Sequence, residues 1–165
     1  MVAGGMSAMA ESGLIITERL NIRIASDDEM RELIAAQTDE GLKAAYGEML
    51  AGCIAHPAQR QWYAVWLISL TGGGRIGELC FKGLSPEGTA EIGYGLSPEF
   101  WGKGYATEAV TAAVKWASKQ PGVTAVEAET DDENTASQRV LAKSGFVPMG
   151  TRGEEGPRYV WRGAF

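Results

Sequence analysis

The chain has 165 residues, 45% of them hydrophobic, which is enough to bury one core without disulfides or metals. Its 15 Lys and Arg against 21 Asp and Glu give a formal net charge of −6, a sign that argues against nucleic-acid and anionic-membrane partners. Cys53 and Cys80 lie far apart and fit neither a disulfide framework nor a metal-ligand pair, so we expect no metal and a reducing environment.

The organisation of the chain favours one domain. Residues 1–13 carry no Lys or Arg and no apolar run, so they do not resemble a secretory signal and we expect a disordered tail. No linker or repeat divides residues 14–165, and no stretch approaches membrane-spanning length. We therefore expect a single cytoplasmic domain over residues 14–165 that contacts neither nucleic acid nor membrane. Whether the protein forms a homodimer is left open by the sequence.

The first third of the domain is expected to be a strand followed by two helices. Alternation of apolar and polar residues predicts a strand over 14–24. Ser26 followed by Glu29 is typical of a capped helix start, and that helix is expected to reach about Gln37. A second helical region is expected over 40–55.

A meander of core strands follows. Apolar, aromatic-rich runs predict strands at 62–68, 75–81 and 90–96, with Gly72–Gly74 as the first turn. Trp62 and Trp66 are expected in the core.

The last third alternates helices and strands. Small apolar residues at 3.6-residue spacing predict an amphipathic helix, and they are Ala106, Ala109, Val110, Ala113, Val114 and Ala117. Trp116 on the same helix is also expected in the core. The remaining elements are a strand at 123–130, a helix at 134–144 ended by Gly145, and strands at 146–151 and 158–162. The fold class is therefore mixed α/β with about four helices.

The most informative segment, called the glycine loop, lies between a predicted strand and this helix. It is Trp101-Gly102-Lys103-Gly104-Tyr105-Ala106-Thr107. A helix N-terminus presents unpaired backbone N–H groups, and glycines let those groups approach a diphosphate without a Cβ in the way. A tight strand-to-helix turn explains the two glycines equally simply. The loop alone is a weak signal.

Two other phosphate-binding motifs do not fit this segment. A nucleoside-triphosphate loop requires Ser or Thr after the Gly-Lys pair, and here Lys103 is followed by Gly104. A dinucleotide fingerprint requires a third Gly or Ala at positions that hold Pro98 and Thr107. If the glycine loop binds a diphosphate, we therefore expect a ligand other than a nucleoside triphosphate or a dinucleotide.

Four short motifs occur together in this chain. They are Glu91-Ile92-Gly93-Tyr94, the glycine loop with Glu108 and Ala109, Asn134-x-x-Ser137, and Lys143-Ser144-Gly145-Phe146. In this order and spacing, the chain over about residues 14–165 resembles the Gcn5-related N-acetyltransferase (GNAT) superfamily, in its RimJ/RimL-like branch. The superfamily signature Gln/Arg-x-x-Gly-x-Gly/Ala aligns with Trp101-x-x-Gly104-x-Ala106, so Trp101 departs from the first position.

The resemblance implies an α/β fold, ligands and an activity. The mixed sheet is expected to splay centrally between the strands at 90–96 and 123–130, flanked by about four helices. The glycine loop from Trp101 to Thr107 would bind acetyl-CoA, with the backbone amides of residues 102–107 on its pyrophosphate, and the pantetheine arm would pair with the backbone around Leu96. The expected activity is direct transfer of the acetyl group to a primary amine, either a protein N-terminus or a small amine.

A carboxylate on the strand at 90–96 is our candidate base. The resemblance implies such a group, and strand alternation places Glu91 on one face with Gly93 and Gly95, which clear side-chain volume there. A solvated strand residue or an arginine partner is an equal alternative for Glu91. Glu127 and Glu129 on the opposite splayed strand are reserve candidates.

The helix start at Asn134 offers two further candidates. Asn134 is either an N-cap or a ligand of the pantetheine, and the two functions are compatible. Many related enzymes carry a Tyr, four residues before a Gly-Phe pair, that protonates the thiolate, but this chain has Leu141 there. Ser137 or a water would take that role, or the thiolate would leave unassisted, and Ser137 is expected to bind the cofactor as well. A non-catalytic acyl-CoA-binding module is therefore the alternative function.

Overall fold

The computed structural model describes residues 13–163 and contains one eight-stranded sheet. The strands are β1 (Leu14–Ile16), β2 (Leu20–Ile24), β3 (Val65–Leu70), β4 (Arg75–Leu84), β5 (Thr89–Leu96), β6 (Ala125–Glu129), β7 (Val147–Arg152) and β8 (Pro157–Trp161). Their order in the sheet is β1-β2-β3-β4-β5-β6-β8-β7, and only the β5–β6 pairing is parallel. The tail expected at residues 1–13 lies outside the described residues except for Gly13.

Four α-helices flank the sheet within residues 13–163. They are α1 (Asp27–Ala36), α2 (Glu40–Ala55), α3 (Tyr105–Ser118) and α4 (Thr135–Lys143). The predicted start of α1 is confirmed as a capping box, because the Glu29 backbone N–H donates to Ser26 Oγ at 3.1 Å and the Ser26 N–H donates to Glu29 Oε1 at 3.0 Å. The mixed α/β class is confirmed.

The strand predicted over 14–24 is instead a hairpin of β1 and β2. The Thr17 backbone N–H donates to the Leu20 carbonyl at 2.9 Å, and the Leu20 N–H donates to Thr17 Oγ1 at 3.0 Å. A threonine hydroxyl that accepts a nearby backbone N–H favours a turn over a continuous strand.

Trp62 also differs from expectation. It was predicted at the start of a strand, but it is the last residue of a 3₁₀ segment over Pro57–Trp62.

The core lies on both faces of the sheet. On one face α3 covers β2 to β5, where Trp66 and Trp116 pack edge to face with ring centroids 4.8 Å apart. On the other face α1 and α2 cover β3, with Met30 and Cys53 buried against Leu67. Trp62, Trp66 and Trp116 are all buried, as predicted.

The parallel pairing between β5 and β6 is short. It joins three residue pairs and ends at Glu91 and Glu127, whereas β5 continues for five further residues to Leu96. Beyond Glu91 the two strands separate. The predicted central splay is confirmed, and it exposes the second half of β5 to ligands. Over residues 13–163, no helix combines the length and apolarity needed to cross a membrane.

Candidate functional site

The glycine loop turns the chain from β5 into α3 through two left-handed residues. Gly102 has φ +74° and Gly104 has φ +82°, a backbone region that side-chain-bearing residues rarely adopt. Gly104 is the N-cap of α3, and no side chain within residues 13–163 caps this helix. The first backbone N–H groups of α3 are therefore free to bind an anion.

A cavity of about 480 Å³ lies between the start of α3, the start of α4 and the exposed end of β5. It brings together the residues predicted to bind the cofactor, with the exception of Lys103. Those that line it are Leu96, Trp101, Gly102, Gly104, Tyr105, Ala106, Thr107, Asn134 and Ser137. Its volume falls within the usual range of ligand pockets, roughly 300–1,000 Å³.

Other lining residues were not predicted as ligands. Phe100 and Val140 add apolar surface, and nothing in their local sequence pattern distinguishes them from core residues. Arg139 and Lys143, for which the sequence leaves open a solvated helix surface or a contact with the cofactor's ribose phosphate, both line the cavity on the α4 side. They add positive charge to a pocket whose other end is the N-terminus of α3.

Leu96 contributes its backbone to a contact at the cavity mouth. The Trp101 indole Nε1–H donates to the Leu96 carbonyl at 2.9 Å, although Trp101 is 64% exposed. This bond holds a large aromatic ring over the end of β5. Trp101 thus shapes the cavity through its side chain, in addition to any contact from its backbone.

A pair of hydroxyl groups faces this cavity from β5 and α4. Tyr94 Oη and Ser137 Oγ lie 2.8 Å apart, and either can be the donor. Burial raises the pKa of the Tyr94 phenol, although its hydrogen bond with Ser137 opposes that shift. Tyr94 therefore keeps its proton at neutral pH. Leu141, which stands where related enzymes carry a tyrosine, is fully buried in the core.

Asn134 caps α4. Its Oδ1 accepts a hydrogen bond from the Ser137 backbone N–H at 3.0 Å, so the predicted N-cap is confirmed. This bond holds the backbone of Ser137 in place at the start of α4, and Asn134 itself also lines the cavity.

Glu91 lies outside the cavity lining, at the vertex of the splay. Arg158 Nη2 contacts Glu91 Oε1 at 2.9 Å and Glu127 Oε1 at 3.0 Å, and Arg158 Nη1 contacts Glu129 Oε1 at 2.6 Å. Lys82 Nζ lies 3.1 Å from Glu91 Oε2. Glu91 is therefore an ion-pair partner of two cations, and its role as a base stays a prediction.

Arg158 links the three candidate carboxylates into one network. The hydrogen bonds that Arg158 donates to Glu91 above all, and to Glu127 and Glu129, raise the pKa of Arg158 and keep it charged. The guanidinium spans β5, β6 and β8 at the last residue pair of the parallel ladder. Sequence reasoning did not predict Arg158, because its partners lie up to 67 positions away in the chain.

A further carboxylate, also missed by sequence reasoning, lies on the same face of the sheet as Glu91. Glu78 of β4 pairs in register with Gly95 of β5 and accepts a hydrogen bond from the Tyr46 hydroxyl of α2. Burial and this contact raise the pKa of Tyr46. The alternation of β4 places Glu78 on the face that Gly93 and Gly95 leave open. Among residues 13–163 no cluster of His, Cys, Asp and Glu could hold a metal ion.

Known proteins share this fold and part of this sequence. The chain is 37% identical over 76 residues to the uncharacterized N-acetyltransferase p20 of Bacillus licheniformis, a match that covers 46% of this chain and 43% of that protein. The chain thus spans less than half the length of the curated relatives it matches. RimL, a ribosomal α-N-protein acetyltransferase in complex with coenzyme A, has a TM-score of 0.70 at 19% identity, over 89% of this chain and 96% of that chain.

A second solved structure is similar to the same extent. A mutant of the spermidine N-acetyltransferase SpeG from Vibrio cholerae has a TM-score of 0.68 at 16% identity, over 87% of this chain and 94% of that chain. At these identities the two structures establish a shared fold.

The family assignment follows from a broader match. The model of the acetyltransferase (GNAT) domain matches residues 17–147, which is most of the chain. That range holds the glycine loop, the Tyr94–Ser137 pair and Glu91. The resemblance first seen in the four sequence motifs is confirmed: the chain belongs to the GNAT acetyltransferase family.

Proposed function

We propose that this protein transfers an acetyl group from acetyl-CoA directly to a primary amine. The observation that carries the proposal is the cavity in which the uncapped N-terminus of α3 meets α4 and the splayed end of β5. Free backbone N–H groups, two glycines without Cβ atoms and two cations on α4 fit a diphosphate with a phosphorylated ribose. The open backbone of β5 fits an extended arm.

The roles of the cavity residues follow from this placement. Backbone amides of residues 102–107 bind the pyrophosphate, and Leu96 and Asn134 hold the pantetheine arm. Acetyl-CoA supplies an activated thioester, so the protein has only to orient the reactants and move protons.

The acceptor must lose a proton before it attacks. An alkyl ammonium has a pKa of about 10.4 and an α-amine one of about 8, so a base accelerates the reaction at neutral pH. Glu91 takes this role in our proposal, with Glu127 and Glu129 as alternatives. The Lys82 side chain is half exposed, so an incoming ammonium can replace it at Glu91 Oε2 while Arg158 keeps Oε1.

The departing sulfur takes up a proton from the hydroxyl pair. Ser137 donates its Oγ proton to the sulfur, and Tyr94 replaces that proton through the hydrogen bond that joins the two groups. Solvent then reprotonates Tyr94. This route provides the proton donor that is missing at position 141, where related enzymes carry a tyrosine and this chain has a leucine.

The two related structures suggest a broad class of acceptor for this protein. RimL acts on a ribosomal protein N-terminus and SpeG on spermidine. We propose a protein N-terminus or a small amine as acceptor. The single domain over residues 14–165, the cytoplasmic location and the homodimer stay predictions.

The alternative is a non-catalytic acyl-CoA-binding module. The ion pairs of Glu91 with Lys82 and Arg158, and the leucine at 141, favour it. The test is release of free CoA thiol with a panel of N-terminal peptides, spermidine, free lysine and aminoglycosides, with mass detection of the acetylated product. Amine-dependent release supports the enzyme. CoA binding without release by any amine supports the alternative.

A further inference from the structure

Arg19, in the turn between β1 and β2, reaches the glycine loop 84 positions later in the chain. Its Nη1 donates to the Lys103 backbone carbonyl at 3.0 Å. Its guanidinium carbon lies 4.4 Å from the centroid of the Tyr105 ring, a cation–π distance. Its Nη2 lies 3.3 Å from the point that a Cβ on Gly104 would occupy. Arg19 thus touches three consecutive residues of the loop.

The same arginine is anchored to the first turn of α3. Its Nε contacts Glu108 Oε1 at 2.6 Å, and its backbone N–H donates to Glu108 Oε2 at 2.9 Å. Thr17 Oγ1 donates to Glu108 Oε2 at 2.5 Å. Partial burial opposes the shift, but the hydrogen bonds from Thr17 and Arg19 together lower the pKa of Glu108. Glu108 stays ionised and holds the hairpin against the helix.

These contacts constrain a segment that is otherwise free to change shape. Two glycines in three residues give the loop many accessible backbone conformations. Within one planar peptide, the carbonyl of Lys103 and the N–H of Gly104 point in opposite directions. Because Arg19 binds that carbonyl, it directs the Gly104 N–H away from itself. Gly104 lines the cavity and Arg19 does not.

We propose that Arg19 is a positioning residue that holds the glycine loop in its anion-binding conformation before acetyl-CoA arrives. A loop ordered in advance loses less conformational freedom on binding, so affinity for the diphosphate rises without a direct contact. This inference rests on the proposed function, since it assumes that the loop binds acetyl-CoA. It assigns to the β1–β2 turn a role in ligand binding beyond the packing of the sheet.

The test compares Arg19→Gln and Arg19→Lys with a matched control, Arg23→Gln. Arg23 lies in the same hairpin and also forms a two-contact ion pair, through Nη1 and Nη2 to Glu29 at 2.7 and 2.6 Å, but Glu29 belongs to α1. Titration calorimetry measures the affinity of each variant for CoA and for pantetheine, which lacks the diphosphate. Amide hydrogen exchange follows residues 102–106 in the ligand-free protein.

Arg19→Gln is expected to weaken CoA binding about 10-fold, which raises KM for acetyl-CoA with kcat within about twofold. Pantetheine binding stays nearly unchanged. Exchange of the loop amides accelerates while that of β3 and β4 does not. Arg19→Lys keeps the positive charge, but one ammonium group cannot bind both Glu108 and the Lys103 carbonyl as the guanidinium does. This variant should therefore bind CoA more tightly than Arg19→Gln but less tightly than the wild type.

Three results would overturn the inference. They are unchanged loop exchange in Arg19→Gln, equal losses for CoA and pantetheine, and an equal loss of CoA affinity in Arg23→Gln. A wild-type chain that bound no CoA would instead refute the proposed function. In that case the exchange measurement still shows whether Arg19 orders the loop.

Discussion

The hydroxyl oxygens of Tyr94 and Ser137 lie 2.8 Å apart and join β5 to α4 beside the cavity. The tyrosine comes from a strand and the serine from a helix start 43 positions later. This places a protonated phenol behind the group proposed to deliver a proton to the CoA sulfur. In the proposed relay, Tyr94 and Ser137 together take the role that the family pattern gives to a tyrosine at position 141.

Tyr94→Phe and Ser137→Ala should each lower kcat by about 10-fold with little effect on CoA affinity. The effect is modest because a thiol is a good leaving group. Because burial raises the pKa of Tyr94 above its ordinary value near 10, the wild type should keep this proton donor to a higher pH than an exposed tyrosine would allow. The double variant should be no slower than either single variant, since the two hydroxyls act in series. Additive losses would contradict the relay.

Glu91→Gln should lower kcat by about 100-fold at neutral pH without changing CoA affinity. The defect should shrink as the pH rises towards the pKa of the acceptor, because the amine then becomes neutral without a base. The measurement is a profile of kcat against pH for both proteins with one acceptor. A defect of constant size would assign Glu91 a structural role and shift the base to Glu127 or Glu129.

Arg158→Gln should destabilise the fold by about 2–4 kcal/mol at pH 7, because it leaves three carboxylates close together without their shared cation. Hydrogen bonds from the Glu155 N–H and from Arg158 lower the pKa of Glu129. A lowered folded-state pKa means that the contribution of Glu129 is present above the unfolded pKa near 4.3 and is lost as the pH falls through the lower folded value.

Urea unfolding of Arg158→Gln and the wild type at pH 7 and at low pH measures this effect. The difference in unfolding free energy should narrow as the pH falls below about 4, because the stability that the Glu129–Arg158 pair contributes to the wild type is then lost. An unchanged difference would mean that Arg158 stabilises the protein through packing of its aliphatic stem.

Gly104→Val should weaken CoA binding by about 100-fold or more while leaving the protein folded. A β-branched residue does not adopt the φ of +82° found here, and its Cβ would lie 3.3 Å from Arg19 Nη2, so the loop would have to change shape and displace the first amides of α3. Several charge-assisted N–H bonds, worth roughly 1.5–3 kcal/mol each, would be lost together. Pantetheine binding is the control. A similar loss for pantetheine would indicate a distorted sheet, and the assignment of residues 102–107 would be wrong.

The sequence predicted well those features that depend on neighbouring residues. The capping box of α1 and the N-cap at Asn134 each arise from hydrogen bonds within four residues. The glycine loop was identified for the same reason. The β1–β2 hairpin was missed because the Thr17 hydroxyl makes a turn inside a segment where Leu14 and Ile16 keep the same alternation as Leu20, Ile22 and Ile24 after the turn.

Contacts between distant segments could not be predicted in this way. Arg158 meets Glu91 only because β8 lies beside β6, and β6 beside the first half of β5. The contact of Arg19 with the loop likewise depends on the hairpin packing against α3. No local pattern in a single sequence encodes such a partner, since each arises from the order of strands in the sheet.

Acetyl-CoA binding measured by its effect on the melting temperature tests the central claim most directly. A ligand that binds only the folded state at about 100 times its dissociation constant adds roughly 2.7 kcal/mol of stability. Acetyl-CoA and CoA should therefore raise the melting temperature by several degrees, whereas ATP and NAD at the same concentration should shift it far less. Equal shifts from all four ligands, or none from acetyl-CoA, would contradict the assignment of this cavity.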